Sequence, residues 1–156
     1  MGSRFAVQLP LATGEPDDPT TTLPLDLPSQ WATGRQYNVL YIEDDEVNTI
    51  LMEQVFRTQP EWTLITATTG ADGIAAAVRQ RPEIILLDLN LPDVPGLEVF
   101  RRLRNDPRTR HIPCVAVSAD ALPTHVRRTL SAGFEDYWAK PLELTTVIAK
   151  LKLLLR

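Results

Sequence analysis

Four consecutive aliphatic residues, Ile84-Ile85-Leu86-Leu87, run directly into an aspartate, Asp88. A run without polar alternation belongs to a strand covered on both faces, as in a parallel sheet sandwiched between helices. The acid at its tip is then carried to the carboxyl edge of the sheet, where open parallel sheets keep their functional groups.

The rest of the chain repeats this texture. From Tyr37 onward, short apolar runs at 38–42, 62–67, 83–88, 112–118 and 135–138 alternate with segments of helical period. Five such repeats predict an α/β protein with a doubly wound, five-stranded parallel sheet. The first helix carries Val47, Ile50, Leu51, Val55 and Phe56 as its apolar stripe, and the last carries Leu144, Val147, Ile148, Leu151, Leu154 and Leu155. Three more helices are expected near 70–80, 97–105 and 123–132. Asp45 is placed to cap the first helix, and Pro123 to occupy the first turn of the fourth.

Residues 12–36 are different, with Pro16, Pro19, Pro24 and Pro28 among Thr, Asp and Gly and no regular period. They are expected to form a flexible linker ahead of a domain at 37–156. The segment 1–11 is too short and too interrupted to span a bilayer. A net charge of −4 offers no uniform positive field, so direct nucleic-acid binding and membrane insertion are not expected. Cys114 is the only cysteine, which excludes an intrachain disulfide and fits the cytoplasm.

The strand ends hold the chemistry. Glu43-Asp44-Asp45 follow the first strand, Asp88 ends the third, Ser118 ends the fourth, and Lys140-Pro141 follow the fifth. Carboxylates crowded together without enough cations call for a hard divalent ion with oxygen ligands, and Mg²⁺ fits that description. A carboxylate beside such an ion and a lysine can attack phosphorus, because both cations neutralise the transferring oxygens. The product is an aspartyl phosphate.

These residues, in this order, resemble the receiver domain of response regulators and hybrid histidine kinases. The resemblance covers 38–155 and rests on Glu43-Asp44, the segment from Leu86 through Asp88, Pro92 and Gly96, then Ser118-Ala119 and Lys140-Pro141. It implies a flavodoxin-like sheet of order 2-1-3-4-5. It implies Asp88 as phosphoacceptor, Glu43, Asp44, Asp88 and the backbone carbonyl of Asn90 as Mg²⁺ ligands, and Ser118 and Lys140 as the groups that bind the phosphoryl oxygens. Ser118 and Tyr137 would form the conformational switch, and Asn90 and Asp120 would set phosphoryl lifetime. The partners implied are a histidine kinase or a histidine phosphotransfer protein, and a second copy of the chain through the face of helix 4, strand 5 and helix 5.

Some alternatives stay open in the residues. Asp44-Asp45 could serve in place of Glu43-Asp44, although the apolar run ending at Ile42 favours the earlier pair, and Trp138 competes with Tyr137. A haloacid dehalogenase-type phosphotransferase also uses a strand-end aspartate, but resembles a pattern with a second Asp where Asn90 stands. A non-phosphorylated docking scaffold is a third class. The opening Gly2 to Pro10 resembles the last strand of a histidine-kinase ATP-binding domain, which suggests the carboxyl-terminal module of a hybrid kinase. With Arg156 directly after the last helix, no DNA-binding output domain is expected to follow.

Overall fold

The computed structural model describes residues 36–155. The readings of 1–11 as a kinase remnant and of 12–36 as linker lie outside them, except for Gln36. Five strands, β1 (Tyr37–Ile42), β2 (Trp62–Ala67), β3 (Ile84–Asp88), β4 (Cys114–Ser118) and β5 (Asp136–Ala139), alternate with α1 (Glu46–Arg57), α2 (Gly70–Gln80), α3 (Gly96–Asn105), α4 (Pro123–Ser131) and α5 (Leu144–Leu154). All pairings are parallel and the order is β2-β1-β3-β4-β5, the flavodoxin-like arrangement.

Every residue of β3 is buried, as its unbroken apolar run requires. Alternate side chains feed two cores. Ile84 and Leu86 join Val39, Tyr41, Val117 and Trp138 against Val55 and Phe56 of α1 and Val147 and Leu151 of α5. Ile85 and Leu87 join Leu40, Ile42, Cys114 and Ala116 against Ala76 and Ala77 of α2 and Val99, Phe100 and Leu103 of α3. Burying each such side chain contributes about 1.5–3 kcal/mol. The same period of two sets the side on which each strand-end group lies: Glu43 and Asp88 continue the face packed on α1 and α5, and Ser118 continues the opposite face.

Two details depart from the sequence expectation. β4 begins at Cys114 rather than at 112, because Pro113 has no N–H to give the ladder and Ile112 N donates to Thr109 O in the preceding turn. The apolar stripe of α1 is split. Val55 and Phe56 are buried together with Met52, whereas Val47, Ile50 and Leu51 are 64%, 48% and 38% exposed. Val47, Ile50 and Leu51 satisfy helical spacing among themselves but lie on a face rotated away from the core.

The helix ends that flank the site are held by specific groups. Asp45 caps α1, its carboxylate accepting from Val47 N at 2.8 Å. Asp93 reaches from the β3–α3 loop to accept from Gly70 N and Ala71 N at 2.8 and 3.0 Å, so it ties that loop to the start of α2. Gly96 opens α3 where a Cβ would stand 2.6 Å from both Asp88 O and Leu89 Cα. Both obstacles are backbone atoms and cannot rotate away. Gly96→Ala is therefore expected to lose about 1–3 kcal/mol in denaturant melts through overpacking, and an unchanged midpoint would show that the loop yields freely.

Candidate functional site

The site is built by the carboxyl ends of β1, β3, β4 and β5. Glu43, directly after β1, is 1% exposed, and Asp88, the last residue of β3, is 2% exposed. Asp44 beside them is exposed, and carboxylate oxygens of Glu43, Asp44 and Asp88 all lie within 4.8 Å of one another. Lys140, just past β5, enters this cluster from the side. Its Nζ stands 2.8 Å from Glu43 Oε1 and 3.2 Å from Asp88 Oδ2.

Glu43 is the hub of the arrangement. Besides Lys140 it accepts from the Tyr41 hydroxyl at 2.9 Å and from Asp45 N at 3.1 Å. The Tyr41 phenol is buried and lies beside this carboxylate, so burial first and Glu43 second hold its pKa well above the ordinary range. Tyr41 thus remains a neutral donor. Asp88 Oδ1 accepts from Asn90 N at 2.9 Å, which fixes one oxygen and leaves Oδ2 to Lys140.

Burial pushes the Asp88 pKa up, the hydrogen bond from Asn90 N opposes this, Glu43 adds to the rise, and Lys140 draws it back. The net position is about 6. Burial also opposes the charge on Lys140, but Glu43 and Asp88 more than offset it and hold its pKa above the ordinary value. The four groups are a strained charge balance: among the described residues, one ammonium pairs with two of three clustered carboxylates.

Ser118, 2% exposed at the end of β4, accepts from Asp120 N at 3.1 Å through its Oγ. The Asp120 carbonyl accepts from the Tyr137 hydroxyl, and its carboxylate accepts from Leu122 N and pairs with His125 Nδ1. Ser118, Asp120 and Tyr137 are thereby linked through one short loop. Trp138 points the other way, buried in the α1–α5 core with its indole N–H donating to Asp136. The parity of β5 separates the two aromatics. Asp45 is occupied as the cap of α1, so the acids gathered at the cleft are Glu43, Asp44 and Asp88. Asn90 is exposed at the rim, two residues beyond Asp88.

Three participants are not evident from sequence patterns. Tyr41 sits two residues before Glu43 on the same strand face, a relation the period of two could have revealed. Asp93 and His125 act across loops and carry no local signal. Cys114 is buried and its thiol is pushed up to about 12 by that burial, so it is an inert core residue.

The donor set fits a hard cation. Among the described residues, three carboxylates converge on one open edge with no nitrogen or sulfur ligand, a set suited to Mg²⁺ rather than to Zn²⁺ or Cu²⁺.

A flavodoxin-like sheet thus carries an acid cluster and a lysine at its carboxyl edge. The chain belongs to the response regulator receiver domain family, whose model matches residues 39–152. It is 36% identical over 126 residues to the probable transcriptional regulatory protein TcrX of Mycobacterium tuberculosis, a match spanning 80% of this chain and 52% of that one. The chain thus covers about half of TcrX. It is 35% identical to the polar-differentiation response regulator DivK of Brucella anthropi over 74% of this chain and 93% of DivK. Among solved structures, the receiver domain of sensor histidine kinase PA1611 from Pseudomonas aeruginosa superposes with a TM-score of 0.68 and 30% identity, over 76% of this chain and 96% of that chain. That structure is described with a magnesium ion coordinated in its active-site cleft.

The raised Asp88 pKa gives a stability prediction. A carboxyl at about 6 when folded and 3.8 when unfolded binds its proton more tightly in the folded state. Its contribution is fully favourable below pH 3.8 and is lost as pH rises through 6. Without metal, Asp88→Asn is therefore expected to raise the melting temperature at pH 7.5, by roughly 5 °C, and to shrink that gain at pH 5. Calorimetry at the two pH values measures it, and a lowered melting temperature at pH 7.5 contradicts the charge balance.

Proposed function

We propose that Asp88 accepts a phosphoryl group from a phosphohistidine in two-component phosphorelay signalling. The observation that carries this reading is Lys140 Nζ at 3.2 Å from the Asp88 carboxylate, beside a three-acid cluster. An Asp88 oxygen attacks phosphorus, the bond from phosphorus to the donor imidazole breaks, and the imidazole leaves as neutral histidine after protonation. Lys140 exchanges Glu43 for a phosphoryl oxygen and holds it. Mg²⁺, held by Glu43, Asp44, Asp88 and the Asn90 carbonyl, would supply the positive charge that lets a carboxylate approach a phosphoryl anion.

Ser118 contributes its hydroxyl to a second phosphoryl oxygen. Its turn toward the phosphate releases Asp120 N, and because the Asp120 carbonyl holds the Tyr137 hydroxyl, the loop and the aromatic move together. The face of α4, β5 and α5 is thereby altered, which suits a change of protein partner or a homodimer through that face. Asn90 and Asp120, two residues beyond Asp88 and Ser118, would set how long the mark lasts.

The exposed side chains of Val47, Ile50 and Leu51, next to the acid-bearing end of β1, form an apolar surface suited to a histidine kinase or histidine phosphotransfer protein. Likeness to the PA1611 receiver supports an origin in a hybrid kinase. A cytoplasmic setting, where such kinases use ATP, fits the single reduced, buried thiol.

The dehalogenase-type alternative lacks its general acid, since Asn90 offers only an N–H to Asp88. A docking scaffold has no need of a lysine among buried acids.

Incubation with Mg²⁺ and acetyl phosphate, with intact mass as the readout, is expected to give a labile phosphate adduct on the wild type and none on Asp88→Asn. Turnover of phosphomonoesters would favour the dehalogenase reading, and an unmodified wild type the scaffold. Ile50→Asp is expected to slow transfer from a phosphohistidine protein about tenfold or more while leaving acetyl phosphate labelling unchanged. Equal slowing with both donors would remove the α1 surface from donor docking.

A further inference from the structure

The net charge of −4 conceals an uneven distribution. Across 96–111 and 123–132 there are seven arginines against two acids, Glu98 and Asp106. These residues form α3, the turn after it, and α4. These segments are net positive although the whole chain is negative.

Between α3 and α4 lies a groove of about 340 Å³. Leu97 and Ala132 are its exposed apolar lining, over a buried Phe100 that stacks on Phe134, and Arg101, Arg104 and Arg128 stand around it. Arg104 is already committed, donating to Ile112 O at 2.8 Å with its guanidinium 4.6 Å over the Phe100 ring. Arg101 pairs with Glu98 at the surface, with its side chain 64% exposed. Exposed pairs of this kind exchange partners readily. Arg128 is exposed on the opposite wall.

We infer that this groove docks an acidic segment of a partner protein, with an aliphatic or aromatic side chain of that segment seated on Leu97 and Ala132. Carboxylates of the segment meet Arg101 and Arg128, whose forked donors match carboxylates two-pronged. An extended polyanion such as nucleic acid suits the surface less well. It needs a continuous positive track, and the neighbouring sheet edge carries Glu43, Asp44 and Asp88. The apolar lining also has no counterpart on a phosphate backbone.

Leu97 and Arg128 also line the adjoining cavity of about 220 Å³ that contains Ser118, Asp120, His125 and Tyr137. The groove and this cavity therefore share Leu97 and Arg128 as a common wall. The docking itself does not use Asp88, so it stands or falls separately from the phosphoacceptor reading.

The test uses fluorescence anisotropy with a labelled dodecapeptide of glutamates interrupted by leucine and phenylalanine. Controls are the same peptide with glutamine for glutamate, the same peptide with serine for its apolar residues, and a single-stranded DNA oligonucleotide of equal charge. The acidic apolar peptide is expected to bind best. The double variant Arg101→Glu with Arg128→Glu should weaken it about tenfold or more, since both reversed charges face the carboxylates. Arg57→Glu with Arg79→Glu, on α1 and α2, should change it less than about twofold, because these charges lie beyond easy reach in salt. Asp88→Asn should still bind. Circular dichroism checks that the surface variants keep their fold. Tighter binding of the oligonucleotide, equal weakening by the two variant pairs, or no binding of the acidic peptide would each overturn the inference.

Discussion

One ammonium among three carboxylates organises this molecule's edge. Lys140 lies within 2.8 Å of Glu43 and 3.2 Å of Asp88, yet the cleft still carries an excess of negative charge. Such a balance costs stability and creates affinity for whatever brings positive charge to the edge. In the proposed transfer the same lysine neutralises a carboxylate at rest and a phosphoryl oxygen afterwards.

The sheet delivers these groups by simple parity. Asp88 and Glu43 end up side by side because β1 and β3 are neighbours and both residues continue the strand face packed on α1 and α5. Ser118 and Tyr137 belong to the opposite face and meet through Asp120 instead. The tight entry to α3 at Gly96 and the clamp from Asp93 to α2 keep the loop that carries Asn90 in place. Charge cluster and linkage loop are therefore separate devices that share the tips of adjacent strands.

Much of this was legible in the residues. The unbroken run before Asp88 reports burial on both faces, and strand order together with acids, hydroxyl and lysine at strand ends marks the edge. Legibility failed where tertiary geometry decided between equal local patterns. Val47, Ile50 and Leu51 have the spacing of a core stripe, but the rotation of α1 gives the core to Met52, Val55 and Phe56. His125 has no local partner in sequence, and only the fold of the β4–α4 loop brings it to Asp120. The positive excess of α3 and α4 vanished in the net charge, because an average over the chain hides segments of opposed charge.

The most direct measurement is a crystal structure grown with Mg²⁺ and beryllofluoride, a mimic of the phosphoryl group on a carboxylate. Beryllium is expected bonded to Asp88, with a cation about 2.1 Å from oxygens of Asp44 and Asp88, and Lys140 Nζ moved from Glu43 to a fluoride. A cation bound elsewhere, or a lysine still paired to Glu43 beside an unmodified Asp88, would contradict the phosphoacceptor reading.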